Sequence, residues 1–177
     1  MKRILPVLLV LVVPIGGAVS SGCGYHVAGK ADLMPKNIHT IYIEPFHAGI
    51  PRADIPRLLS ADLARELLSR TRYKVVSDPQ QADAVLAGAI TNFASGSTTA
   101  DPNTARSTGA MVVLQMNIYL TERGTGKSLF QSNGYEFRER YEISENAATY
   151  FDESGTAVER VTRDAARSIV SAILESF

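Results

Sequence analysis

The stretch MVVLQMNIYLTE, residues 111–122, alternates apolar and polar side chains more regularly than any other part of the chain. The apolar side chains of one parity are Val112, Leu114, Met116, Ile118 and Leu120. Successive side chains of a strand point to opposite faces, so this period of two predicts a half-buried β-strand. Such a strand belongs to a sheet that has one covered face and one open face.

The residues on either side of this strand predict its neighbours in the sheet. Arg123 to Gly126 form a turn signal, and residues 129–141 follow as a second strand, so the two make a hairpin. In that second strand Leu129, Tyr135, Phe137 and Tyr141 share one parity. Upstream, residues 84–93 read as a strand in which Gly88 indicates a close backbone approach or a bulge.

Further upstream, residues 38–45 alternate like a strand, and residues 73–76 form a short β-prone piece. Residues 95–108 consist almost entirely of small and polar side chains, which predicts a mobile loop because these residues supply few core contacts.

Two segments have helical periodicity. Asp54 begins the first, which runs to about Arg70 and repeats apolar residues at Ile55, Leu59, Leu63 and Leu67. The second ends the chain, with an apolar stripe of Val158, Val161, Ala165, Ile169, Ile173 and Phe177. The predicted fold is α+β: a two-layer sandwich in which two helices cover one face of a mixed four-stranded sheet, in the order β-α-β-β-β-α.

The N-terminus has the layout of an export signal. Met1-Lys2-Arg3 is basic, an apolar run follows, and small residues lead to Cys23, the single cysteine. The motif Ser20-Ser21-Gly22-Cys23 resembles a bacterial lipobox, which implies cleavage before Cys23 and its acylation, although such motifs prefer Leu where Ser20 stands. We therefore expect a signal peptide at residues 1–22, a lipidated leader at 23–37 and a single domain at 38–177. The alternative is a secreted protein with an unpaired thiol.

Charge and motif content argue against several functions. The 18 basic and 18 acidic side chains give a net charge of +0, which disfavours nucleic acid as a partner. Gly126-Lys127-Ser128 lacks the rest of a phosphate-binding loop, and His26, His39 and His47 lack metal-ligand spacing. Asp152-Glu153 is better explained as the acidic start of a helix than as a catalytic pair. We expect no enzyme, no metal and no cofactor.

A small group of basic residues is the candidate ligand site. Arg138 and Arg140 lie two apart on the last predicted strand, and Arg123 and Lys127 lie at the adjoining turn. We interpret these four as one basic strip that binds an anionic, phosphate-bearing ligand, with Arg106 as a secondary candidate. The alternative is a solvated sheet face without a ligand.

Several short motifs resemble the lipopolysaccharide (LPS)-assembly lipoprotein family, LptE. They are Cys23-Gly24-Tyr25-His26, residues 41–46, Arg70-Thr71-Arg72-Tyr73, Ala82-Asp83-Ala84-Val85-Leu86-Ala87-Gly88 and the C-terminal residues 172–177. The resemblance implies an outer-membrane lipoprotein on the periplasmic side, a plug inside the LptD β-barrel, and binding of lipopolysaccharide. Gly24 after the acylated cysteine is compatible with outer-membrane sorting. Two other functions stay open: a lipoprotein scaffold or activator of a peptidoglycan synthase, and a lipoprotein hydrolase, for which the sequence shows no nucleophile in context.

Overall fold

The computed structural model describes residues 35–100, 102–103, 107–143 and 154–177. Its elements, in chain order, are β1 Thr40–Ile43, β2 His47–Ala48, α1 Asp54–Arg70, β3 Lys74–Val76, β4 Ala84–Ala100, β5 Ser107–Glu122, β6 Ser128–Glu142 and α2 Ser154–Glu175. A 3₁₀ turn, Pro79–Gln81, lies between β3 and β4, and the Asp78 carboxylate accepts a hydrogen bond from the backbone N–H of Gln80 at its start.

The strands form one mixed sheet in the order β3-β1-β4-β5-β6, and the short β2 also pairs with β4. β1 is parallel to β3 and β4, whereas β4, β5 and β6 form an antiparallel meander. The predicted α+β class is correct. The count of four strands is not, because the β-prone piece at residues 73–76, left out of that count, forms β3, and the two-residue β2 is too short to show a periodic pattern.

The core lies between the helices and one face of this sheet. All five apolar residues predicted for the buried face of β5 are at most 1% exposed. Ile55, Leu59, Leu63 and Leu67 of α1 are buried in the same cluster, as is the stripe of α2 up to Ile173. Phe177, predicted to end that stripe, is 43% exposed because it lies beyond the last turn of α2.

Residues 95–100 and 107–108 are strand where we predicted a loop, and residues 102–103 form a turn. β4 continues to Ala100 and β5 begins at Ser107, with Ser95 opposite Val112 and Ala100 opposite Ser107. The composition of this segment misled the prediction because a ladder of backbone hydrogen bonds can extend a strand beyond the core without apolar side chains.

A bulge shifts the alternation of β6. Tyr135 pairs with Met116, but Ser132 pairs with Ile118 and Phe130 with Leu120, and Gly134 has a φ of +73° at the shift. Paired residues share a face, and Phe130 pairs with the buried Leu120, so Phe130 lies on the helix-covered face. The prediction that Leu129 shares a face with Tyr135 is therefore wrong. The parity of Tyr135, Phe137 and Tyr141 is correct.

The sheet has two distinct ends. At the leader end, Asn37 donates a side-chain hydrogen bond to Glu122, and Arg123 N–H donates to the Asp83 carbonyl at 2.8 Å. We call the other end the hairpin end, after the hairpin that joins β4 to β5. There β4 and β5 continue to Ala100 and Ser107, and β6 ends where Glu142 pairs with Gly109. The described chain therefore starts at one end of the sheet, and its longest hairpin projects from the other.

Candidate functional site

Arg138 and Arg140 lie near the hairpin end of β6, on the face that the helices leave open. They pair with Val113 and Met111 of β5, and both side chains are exposed. Alternation in a strand puts them on one face, as predicted. The structure thus places both arginines on one exposed face of β6.

The two arginines differ in their neighbours. Arg138 forms an ion pair with Glu136 at 2.5 Å, and Gln115 donates a hydrogen bond to the same carboxylate at 2.5 Å. These contacts hold the pKa of Glu136 below its usual value, the Gln115 hydrogen bond contributing most. Within the described part of the chain Arg140 has no ion-pair partner, so its charge is the less compensated of the two.

Arg123 and Lys127 lie at the leader end, in the β5–β6 turn. Arg123 Nε donates a hydrogen bond to the Ala82 carbonyl at 2.6 Å, which fixes the turn to the segment before β4. Lys127 is exposed, and its ammonium helps to lower the pKa of Glu122, after hydrogen bonds from Thr125 and Asn37. Arg123 therefore has a structural role, whereas Lys127 forms no ion pair within 4.0 Å among the described residues.

The four residues do not form the single strip that we predicted. A strand rises about 3.3 Å per residue, so Lys127 and Arg138 are roughly 35 Å apart along β6. The mistake was to treat neighbours along a hairpin as neighbours in space. Two separate basic groups result, one at each end of the sheet.

Other residues considered above lie outside the described residues. They are Cys23, His26, Arg106, Asp152 and Glu153. His39 and His47 are described and exposed, one just before β1 and the other in β2. In the described ranges no group of three His, Cys, Asp or Glu side chains could hold a metal ion, and no helix has the length and hydropathy to cross a membrane.

Asp83 is a structural residue that the pattern analysis did not single out. Its carboxylate accepts hydrogen bonds from the backbone N–H groups of His39 and Thr40 at 2.8 and 2.9 Å, and from the Thr40 hydroxyl at 2.9 Å. These bonds lower the pKa of Asp83, the His39 N–H contributing most. The signal in the sequence was an acidic residue between two small apolar ones, Ala82 and Ala84, which are both buried.

A cavity of about 360 Å³ lies where the end of β1 meets the start of α1. Its lining is mainly apolar and comprises Ile43, Pro45, Ala53, Pro56, Arg57 and Ser60. The Ser60 hydroxyl is buried, and no hydrogen-bond partner for it exists among the described residues. The cavity offers one hydroxyl and one guanidinium, so it lacks the convergent polar groups that orient a ligand.

The comparisons with known proteins identify a family and a fold. Residues 38–173 match the model of the family described as LptE: Lipopolysaccharide-assembly. No curated protein matches the chain.

Three solved structures share the fold. Lipoprotein B from Nitrosomonas europaea is 18% identical with a TM-score of 0.55, covering 86% of this chain and 96% of that one. Rare lipoprotein B from Shewanella oneidensis is 16% identical with a TM-score of 0.50, covering 78% and 96%. The PelC dodecamer from Paraburkholderia phytofirmans is 14% identical with a TM-score of 0.53, covering 82% and 94%.

At these identities the structural matches show the fold alone, whereas the family model spans most of the sequence. The chain therefore belongs to the LptE lipopolysaccharide-assembly family.

Proposed function

We propose that this protein is an outer-membrane lipoprotein on the periplasmic side, anchored by a lipid on Cys23, that assists the assembly of lipopolysaccharide at the cell surface. In this role it is the plug and partner of the LptD β-barrel, it binds lipopolysaccharide, and it performs no catalysis. The observation that carries the proposal is the family match over residues 38–173.

The open face of the sheet supports the role of a plug. Gln115, Asn117 and Tyr119 alternate along β5 on the side away from the core, and all are partly exposed. A barrel lumen is lined by polar side chains, so a face of amides, hydroxyls and paired charges can contact it without burying unpaired apolar surface. The helix layer behind that face supplies the rigid core that a plug needs.

Co-purification tests the barrel partnership. The full chain with a C-terminal affinity tag is expressed in a Gram-negative host, and the outer membrane is solubilised in detergent before capture. We expect LptD in stoichiometric amount. Recovery of a peptidoglycan synthase in its place, with LptD absent, would contradict the proposal and favour the scaffold function.

Lipopolysaccharide binding is assigned to Arg138 and Arg140. Lipopolysaccharide carries phosphates on lipid A and commonly on its core, and exposed guanidinium groups recognise phosphate through charge-assisted hydrogen bonds. Arg140 is the stronger candidate because Glu136 compensates Arg138. Lys127 at the leader end is the competing site.

Charge-reversal variants test which of the two basic groups binds lipopolysaccharide. We expect Arg138→Glu with Arg140→Glu to weaken binding of purified lipopolysaccharide at least tenfold, and raised salt to weaken wild-type binding in the same direction. Arg163→Glu with Arg167→Glu is the matched control, since both side chains are exposed on α2. If the β6 variant binds like wild type and Lys127→Glu does not, the site lies at the leader end.

A further inference from the structure

Among the described residues the sheet has three edges without a neighbouring strand, and two of them carry features that prevent pairing with another chain. β3 has only three residues, one of which is the exposed Lys74. β6 has a bulge at Gly134 and carries Glu136, Arg138 and Arg140. Short length, bulges and charged side chains are the usual protections of an edge strand.

The third edge is the outer side of β4 beyond Ile90. β1 pairs with β4 up to Leu86, and β2 pairs with Ala89 and Ile90. No described strand lies along the outer side of β4 after that point. The inner side is fully used, because β5 pairs with β4 as far as Ala100.

This edge has a regular segment without protection. From Asn92 to Ser97 the pairing with β5 runs without a register shift, between irregularities at Ile90/Asn92 and Ser97/Thr99. The sequence from Thr91 to Ala100, TNFASGSTTA, contains no charged residue and no proline. Its outward backbone N–H and C=O groups are consequently a ready template for another strand.

We propose that the outer edge of β4, residues Asn92–Ser97, pairs with an extended, uncharged segment of the β-barrel partner through backbone hydrogen bonds. The identity of this partner rests on the proposed function. Recognition by strand addition takes its affinity from main-chain hydrogen bonds, which an edge without charged side chains leaves accessible. Six paired residues span about 20 Å, which matches one barrel strand or the stem of one barrel loop.

The protein's own leader would have to run along much of the sheet to reach this edge. The described chain enters β1 at the leader end, where Asp83 binds Thr40. Asn92 lies nine residues further along β4, about 30 Å towards the hairpin end. Arg52 lies over the Phe93 ring at 5.8 Å on the helix-covered face of the sheet, because Phe93 pairs with the buried Leu114.

Lysine substitutions on the edge test the inference. Ala94→Lys with Gly96→Lys adds two charges to the segment, and a Cβ at Gly96 meets nothing within 4 Å. The control, Ser128→Lys with Gln131→Lys, adds the same charge at exposed positions of β6. In co-purification with LptD we expect the β4 variant to recover at least tenfold less barrel, and the control to stay within twofold of wild type. Far-UV circular dichroism and the thermal midpoint check that both variants fold.

Amide hydrogen exchange tests the proposed strand pairing independently, on the protein without substitutions. Strand addition protects alternate amides, so about half of the amides in residues 92–97 should exchange more slowly in the complex than in the free chain. Unchanged exchange together with normal barrel recovery by the β4 variant overturns the edge inference and leaves the proposed function intact. Failure of the wild-type chain to recover LptD overturns both. If the free chain is a dimer with these amides protected and the β4 variant is a monomer, a second copy is the occupant, which overturns the proposal.

Discussion

At the scale of single residues, Asp83 joins β1 to β4 with one carboxylate. Three donors from His39 and Thr40 converge on it, and all lie between 2.8 and 2.9 Å from the accepting oxygen. Removing the acceptor leaves two backbone N–H groups at the start of β1 without their partner, which costs more than the loss of one surface hydrogen bond.

We expect Asp83→Ala to lower the free energy of unfolding by about 1–3 kcal/mol at pH 7. The folded pKa of Asp83 lies below its unfolded value of about 3.9, so its contribution is present above that pH and is lost as the pH falls through the folded pKa. Urea unfolding at pH 7 and pH 3 should therefore show the largest difference from wild type at pH 7. Asp164→Ala, at a half-exposed ion pair on α2, is the control. An equal difference at both pH values would contradict the assigned role.

Gly88 was predicted to mark a close approach or a bulge, and the close approach is correct. A Cβ there would meet the Phe46 ring, and the Asn117 carbonyl oxygen at 2.6 Å. The nearest register shift lies further along the strand, between Ile90 and Asn92. The sequence could indicate that space is short, but Phe46 could not be named because it comes from a loop distant in sequence.

Gly88→Ala is expected to destabilise the fold by about 1–3 kcal/mol because the added methyl overpacks this contact. Phe46→Leu should cost less in the Gly88→Ala background than in wild type, which a double-mutant cycle measures by urea unfolding. Gly96→Ala is the control, since its Cβ has open space. If the free-energy losses of Gly88→Ala and Phe46→Leu are strictly additive, the added methyl does not press on the Phe46 ring.

At the scale of elements, strong periodicity predicted whether a segment is a helix or a strand and which of its faces is buried. Where the periodicity is weak, composition did not predict how far a strand extends. The alternation of β5 and the stripes of both helices were sufficient because their apolar side chains have nowhere else to be buried. The outer half of β4 carries no such signal and is a strand because β5 pairs with it. The bulge of β6 was also missed. Gly134 lies at a bulge only because of the register in which β6 pairs with β5, and the sequence of β6 alone does not show that register.

The packing of α2 is tested at Ile169, which is 0% exposed. Ile169→Asp buries a carboxylate that has no partner, so we expect unfolding or a loss of several kcal/mol, about 3–5. Ser168→Asp places the same side chain at the neighbouring exposed position of the helix. Thermal unfolding should show a large fall in midpoint for the first variant and a change of about 2 °C or less for the second. Equal midpoints would mean that α2 does not cover the sheet through this stripe.

At the scale of the whole molecule, the two ends of the sheet differ in chemistry. The leader end has Lys127 and the turn fixed by Arg123, and the hairpin end has Arg138, Arg140 and the free edge of β4. Alternation predicted that Arg138 and Arg140 share a face, which the structure confirms. The distance between the two basic groups could have been predicted, because the strand expected over residues 129–141 rises about 3.3 Å per residue and so separates Lys127 from Arg138. The free edge of β4, by contrast, could not be predicted, because the sequence of a strand does not show whether another strand pairs with it.

The leader end is also the end to which a lipid on Cys23 would be joined, and this makes Cys23→Ala the decisive test of anchoring. Cys23 lies twelve residues before Pro35, where the described chain begins, so a lipidated leader would tether the domain by this end. Each buried methylene contributes about 0.8 kcal/mol, so several acyl chains hold a protein at a membrane where one is marginal. Without the thiol we expect no palmitate incorporation, and recovery of the protein as an uncleaved or unanchored form. The far-UV spectrum and thermal midpoint should match wild type, because the described helices, strands and core are built from residues 35–177 and do not include Cys23. Ser21→Ala, two residues earlier, should keep wild-type labelling as the control, and palmitate labelling of Cys23→Ala at the wild-type level would rule out the lipobox.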